Sequence, residues 1–259
     1  MKYIDEEQLR ELVSREIFKL GKRSKIKSVE GFTNHLISTG HNAQEISMAA
    51  LKRNPSLEGE IDSDRAATAG RLHDLGKALY SSGDRGHDVL GAYWILTQGG
   101  ASGIVSDATP EQVRSTLGKL ALAVASDFSL AEELGVREGF PQRTYPLPED
   151  FDKKVDYIRE FLSVKGNPLP IERLVYPDTD ERKIIVCADL TNLSGKKTFV
   201  RERLDEVVAR YERWGKTSET QEERDYFSYI AEITKHPGFR DRIFKVVKKV
   251  EGLTGMELL

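Results

Sequence analysis

Apolar residues recur at helical spacing along almost the whole chain, and we predict no strand from the pattern. Leu9, Leu12, Val13, Ile17 and Leu20 follow Asp5 and stop before Gly21, which reads as a capped packing helix. The basic stretch GKRSKIK after it reads as a solvated loop. A second helix is expected from about Gly31 to Arg53, because Asn54 precedes Pro55 and a residue before proline avoids the helical region. The polar KRNPSLEGEIDSD, with its Pro and Gly, is then a loop. Asp62, Ser63 or Asp64 caps a third helix through RAATAGRLHD, whose small residues suit close packing. After the turn SSGDRG, either His87 or Asp88 opens a helix through Val89, Leu90, Ala92, Tyr93, Trp94, Ile95 and Leu96. Thr109, with Pro110 at the first helical position, starts EQVRSTLGKLALAVASDF.

Residues 135–150, GVREGFPQRTYPLPED, carry three prolines and no helical period, so they form a long loop. Its Arg137, Arg143 and Tyr145 either line a cleft or belong to a simple connector. A helix is expected over about Glu149 to Lys165, and Asp180 is expected to cap ERKIIVCADLTNL. From Lys196 to Leu259 three amphipathic helices are expected, with breaks near Gly215 to Ser218 and at His236-Pro237-Gly238. The pattern therefore predicts an all-α protein with three parts. Residues 1–30 form a packing helix and loop, 31–195 a helical core, and 196–259 a C-terminal helical extension packed on that core.

With 259 residues, 39% of them hydrophobic and 31% charged, the chain is long enough for one sizeable core. The net charge of -3 offers no general attraction for nucleic acid or for an anionic membrane, so any phosphate binding has to be local. No apolar stretch is long enough to cross a bilayer, and the acidic, amphipathic MKYIDEEQLREL is not a signal peptide, so a cytoplasmic location is expected. Cys187, in the apolar run IIVCA, reads as a small core residue rather than a reactive thiol. Internal repeats, a GxxxxGK[ST] loop and GxGxxG are all missing from the sequence.

Chemistry concentrates at Arg71–Lys77, RLHDLGK, where an imidazole and a carboxylate stand side by side. Such a pair suits divalent ions of the Mn, Fe, Co, Ni or Zn kind. Four of the five histidines (His35, His41, His73 and His87) fall between positions 35 and 87. Asp189 is flanked by Val186, Cys187, Ala188 and Leu190, and a carboxylate in such company is costly unless a cation, such as a metal, pairs with it. His35 and His41 share one helix but lie roughly 240° apart around its axis, so they cannot serve one site together. The face around His35 holds Thr39, Ala43, Ile46 and Ala50; that around His41 holds Glu45 and Lys52 beside Met48 and Ala49.

A histidine, a His-Asp pair and a distant aspartate, all on helices, resemble the HD superfamily of metal-dependent phosphohydrolases over roughly positions 30 to 195. RLHDLGK and the His-x-x-x-Gly-Ala start of HDVLGAYWIL carry the resemblance best. The family's small or apolar residues after its first histidine are matched by Thr39, Gly40, Ala43 and Ile46, which favours His35 over His41. The resemblance implies an HD-domain helical bundle with additional C-terminal helices. It also implies a divalent ion (Mn, Fe, Co, Ni, Zn or Mg) held by His35, His73, Asp74 and Asp189. Asp74 would be both ligand and acceptor of the water's proton. Lys77 would offer charge to a substrate phosphate, or else stabilise a helix end. His87 would bind substrate and protonate its leaving oxygen, or hold a second metal, or simply start a helix. Two-metal members carry further histidines where this chain has Asp127, which either ligates or caps SLAEEL. The implied activity is hydrolysis of a phosphoester, of a nucleotide or related small molecule, by a metal-activated water. The alternatives are an HD-fold regulatory domain that binds metal or nucleotide without turnover, and a helical interaction protein with a chance His-Asp pair.

Overall fold

The computed structural model describes the chain apart from residues 127–130, 132–133, 137–138 and 194. The described residues form twelve α-helices. These are α1 (Glu6–Leu20), α2 (Val29–Arg53), α3 (Ser63–Leu72), α4 (Leu75–Leu79), α5 (His87–Gln98), α6 (Pro110–Val124), α7 (Phe151–Phe161), α8 (Ile171–Val175), α9 (Asp180–Leu190), α10 (Val200–Thr217), α11 (Gln221–Lys235) and α12 (Pro237–Thr254). The all-α expectation holds, with one correction. Two antiparallel pairs of two-residue strands are present, Lys2–Tyr3 with Val105–Ser106 and Asn192–Leu193 with Lys196–Lys197. Strands this short leave no alternation in the sequence. Among the described residues no helix is long and apolar enough to cross a membrane.

Capping sets most of the boundaries. Asp5 and Gln8 form a reciprocal box at the start of α1, and Thr109 and Gln112 do the same at α6, behind Pro110. Asp62 caps α3 by accepting from the backbone of Asp64 and Arg65. At α9 the cap is Thr179 and not the expected Asp180: the Thr179 hydroxyl accepts from Arg182, while Asp180 is already helical and pairs with Lys183. α7 ends at Phe161, short of the expected Lys165, which has a left-handed φ of 51°.

A further departure matters for function. α3 stops at Leu72, and Asp74, at φ -98° and ψ 7°, breaks the helix before α4 begins at Leu75. The His-Asp pair therefore occupies the joint between two helices rather than the end of one.

Two apolar clusters build the interior. One gathers Leu9, Leu12 and Val13 of α1, Leu75 of α4, Ile95 of α5 and Leu120 of α6. The other gathers Leu204 and Val207 of α10, Ile230 of α11 and Phe239, Ile243 and Val247 of α12. α2 spans both, giving Leu36 and Ile37 to the first and Ala43, Ile46 and Ala50 to the second. α9 does likewise with Ile185 against Ile184 and Cys187, and Cys187 is a fully buried core residue. α12 packs across α2 and α9, which joins the C-terminal helices to the rest.

Candidate metal centre

α2 and α3 pass so closely that a side chain has no room at their crossing. A Cβ on Gly40 would meet the Ala67 carbonyl at 2.8 Å, and one on Gly70 would meet the Thr39 carbonyl at 2.9 Å. The contact brings His35 of α2 to His73 just past α3, with their Nε2 atoms 3.3 Å apart. α9 supplies Asp189, whose Oδ1 lies 3.5 Å from His35 Nε2 and 3.3 Å from His73 Nε2. Asp74 Oδ2 lies 3.7 Å and 3.6 Å from the same two nitrogens. Ligand atoms about 2.0–2.2 Å from one ion sit about 2.8–3.6 Å from each other, so His35, His73 and Asp189 are spaced as neighbours around a cation. His35, His73 and Asp189 form a group able to hold a metal. The donor set fits on a second count: Asp189 Oδ1 is buried and accepts no hydrogen bond. An unsatisfied carboxylate oxygen in such a place is expensive, and a cation removes the penalty.

The rings are oriented from behind. His73 Nδ1 donates to the Gly70 carbonyl at 2.7 Å, which turns Nε2 toward the cluster. Asn192 Nδ2 lies 3.2 Å from His35 Nδ1 and donates to the His35 carbonyl and to Thr39 Oγ1. Asn192 Oδ1 in turn accepts from Gly195 N at 2.9 Å. His41 points away from all this: its Nε2 meets Glu6 at 2.6 Å and its side chain is 55% exposed.

Beside the cluster runs a chain of charge. Lys77 Nζ bridges Asp74 Oδ2 at 2.8 Å and Asp84 Oδ1 at 2.9 Å. His87 Nε2 lies 3.0 Å from Asp74 Oδ1, while its Nδ1 lies 2.6 Å from the Asp84 carbonyl. Glycine again permits the approach, since a Cβ on Gly76 would fall 1.8 Å from the His87 carbonyl. Burial alone would lower His87, but Asp74 lifts it to about 10. His73 is likewise lifted to about 9 by Asp74 and Asp189 against its burial. Burial works against ionisation of Asp74 and Asp189 too, yet Lys77 and His73 hold Asp74, and His73 holds Asp189, well below the usual carboxylate range. Lys77, opposed by burial, is held well above its ordinary value by Asp74 and Asp84. Asp74 and Asp189 are therefore carboxylates at neutral pH, and an ion bound at His73 Nε2 would displace the proton that these two carboxylates favour there.

Sequence reasoning missed Asn192, Asp84 and Tyr226, whose hydroxyl donates to the Asp84 carbonyl at 3.2 Å. The closeness of Asn192 to Asp189 in the chain was the one available signal. Tyr145 is buried beside Tyr226 and Tyr229 in the second apolar cluster, and Arg143 lies over its ring, so Tyr145 serves the core rather than a cleft. Asp127 and Arg137 lie outside the described residues. The family model described as HD domain matches residues 32–134, a segment that includes His35, His73, Asp74, Lys77 and His87 and stops before Asp189. Neither the curated proteins nor the solved structures give a match.

Proposed function

From the match of residues 32–134 to the HD-domain family model, we propose that the chain is a metal-dependent phosphohydrolase acting on a nucleotide or related small phosphoester. The observation that carries this reading is the buried Asp189 Oδ1, which accepts no hydrogen bond yet faces two imidazoles. His35, His73, Asp74 and Asp189 would hold the ion. A divalent ion bound there lowers the pKa of its water and polarises a phosphoryl oxygen.

The chain's own residues divide the remaining work. Asp74, ionised and held by Lys77 and His87, takes the proton of the attacking water. His87 carries a proton on Nε2 and passes it to the leaving oxygen, so one group accepts while its neighbour donates. Lys77 is engaged by two carboxylates, and its part is to position Asp74 rather than to grip a phosphate.

The test is a screen of nucleotide and other phosphoesters with Mn, Co, Ni and Mg, run beside Asp74→Ala. Activity is expected with at least one metal and is expected to fall by at least about a hundredfold in the variant. A wild-type chain that binds metal and hydrolyses nothing would instead point to regulatory binding without turnover.

A further inference from the structure

α10 and α11 lie outside the matched segment, yet they reach the site. Tyr226 of α11 bonds to the Asp84 carbonyl, the same oxygen that faces His87 Nδ1. Tyr211 of α10 is buried beside Tyr226. One residue before it, Arg210 lays its guanidinium over Tyr211 and Trp214, 5.1 Å and 5.3 Å from the ring centres. The two rings fix its direction, but its donors are unspent. Arg210 donates no hydrogen bond among the described residues: its Nε is buried without a partner, and its contact with Glu206 is 3.6 Å long. Glu206 is already bonded by Arg203, so α10 sets two guanidiniums against one carboxylate and leaves one positive charge in surplus.

The helix that carries this surplus packs on α9, which bears Asp189, and through Tyr211 on Tyr226, whose hydroxyl bonds the Asp84 carbonyl. Burial would lower Arg210, but its electrostatic surroundings, Tyr211 first and then Glu206, Asp84 and Asp189, raise it. Other cations of the region are occupied: Lys77 bridges Asp74 and Asp84, and Arg85 donates to Glu222 and to the Pro146 carbonyl. A phosphoryl group brings several anionic oxygens, and a planar fork with free N–H groups matches them two at a time.

We propose that Arg210 binds the phosphoryl oxygens of the substrate, which makes α10 a working part of the site rather than an appended helix. The inference rests on the phosphohydrolase reading and names the group that would grip its substrate. Inorganic phosphate is the probe, titrated calorimetrically into the full chain with and without Mn²⁺, while Mn²⁺ binding is measured separately by electron paramagnetic resonance.

Arg210→Gln is expected to weaken phosphate binding by at least about tenfold and to leave Mn²⁺ affinity within about twofold. Arg210→Lys, which keeps the charge but not the fork, is expected to fall between Arg210→Gln and wild type, and decides the matter if the glutamine variant does not fold. Glu206→Gln removes the negative charge 3.6 Å from Arg210 and is expected to tighten phosphate, a gain that a purely structural role does not produce. The proposal is overturned if wild-type chain binds no phosphate, or if Arg210→Gln or Arg210→Lys binds it as tightly as wild type. Failure of the wild-type chain to bind Mn²⁺ counts against the metal reading alone, and the phosphate comparison without metal then still decides Arg210.

Discussion

His87 holds two protons because each ring nitrogen faces an oxygen that only accepts: the Asp84 carbonyl at Nδ1 and the Asp74 carboxylate at Nε2. An imidazolium so fixed is an acid and a poor metal ligand, which favours proton donation over the second-metal role. His87→Gln is therefore expected to slow turnover by about a hundredfold or more while metal affinity stays within a few-fold, as read from kcat beside a Mn²⁺ titration. Asn192 acts at the same scale. By bonding to the His35 carbonyl and Thr39 Oγ1 it holds α2 at the histidine and restrains its ring. Asn192→Ala is expected to weaken metal binding by about tenfold to a hundredfold without unfolding the chain, measured by metal titration beside circular dichroism.

Glycines let the elements meet. Gly40 and Gly70 allow α2 and α3 to touch backbone to backbone, and Gly76 lets α4 abut the first turn of α5. The break at His73–Asp74 belongs to the same arrangement, because it redirects the chain from the α2 contact toward the α5 contact. Gly76→Ala is the sharpest test of this packing. Its Cβ would sit inside the His87 carbonyl, so α5 has to move, carrying His87 away from Asp74. A loss of about 1–3 kcal/mol in urea unfolding is expected, together with a fall in activity larger than that loss explains.

Across the whole molecule, buried ion pairs tie the site-bearing helices together. Arg65 of α3 donates Nε and Nη2 to the two carboxylate oxygens of Glu181 on α9, at 2.7 Å and 2.5 Å. Removing one partner leaves the other charge buried and alone, so Glu181→Ala is expected to cost about 3–5 kcal/mol in denaturant unfolding. Arg182, next along α9, is buried and pairs with Asp178 at 2.6 Å. Burial lowers Arg182 to about 10, still a cation at neutral pH, whereas Asp178 is held below its ordinary value, burial being overcome by Arg182. A carboxylate lowered on folding adds stability above its unfolded pKa of about 3.9 and loses it as pH falls through the folded value. The stability gap between wild type and Asp178→Asn is thus expected to be full at neutral pH and to close below about pH 4, followed by urea melts across that range.

The helices of the core were legible along the chain because apolar period, caps and breakers are local properties. Asp5, Pro55, Thr109 with Pro110, and Pro237 mark ends that the fold keeps. His73 and Asp74 were legible for the same reason, being adjacent, and the small residues Thr39, Gly40 and Ala43 already favoured His35 over His41 for the close helix contact. The two-residue strands were not legible, since two positions carry no period, and Thr179 displaced Asp180 as a cap because both residue types can cap and adjacent candidates leave the helix start open by one residue. Only tertiary structure brought Asn192 to His35, the Asp84 carbonyl to His87 and Tyr226, and Asp189 to both imidazoles. Those contacts depend on interhelical distances and on which way each helix is rotated about its axis, and no short-range pattern in a chain encodes either.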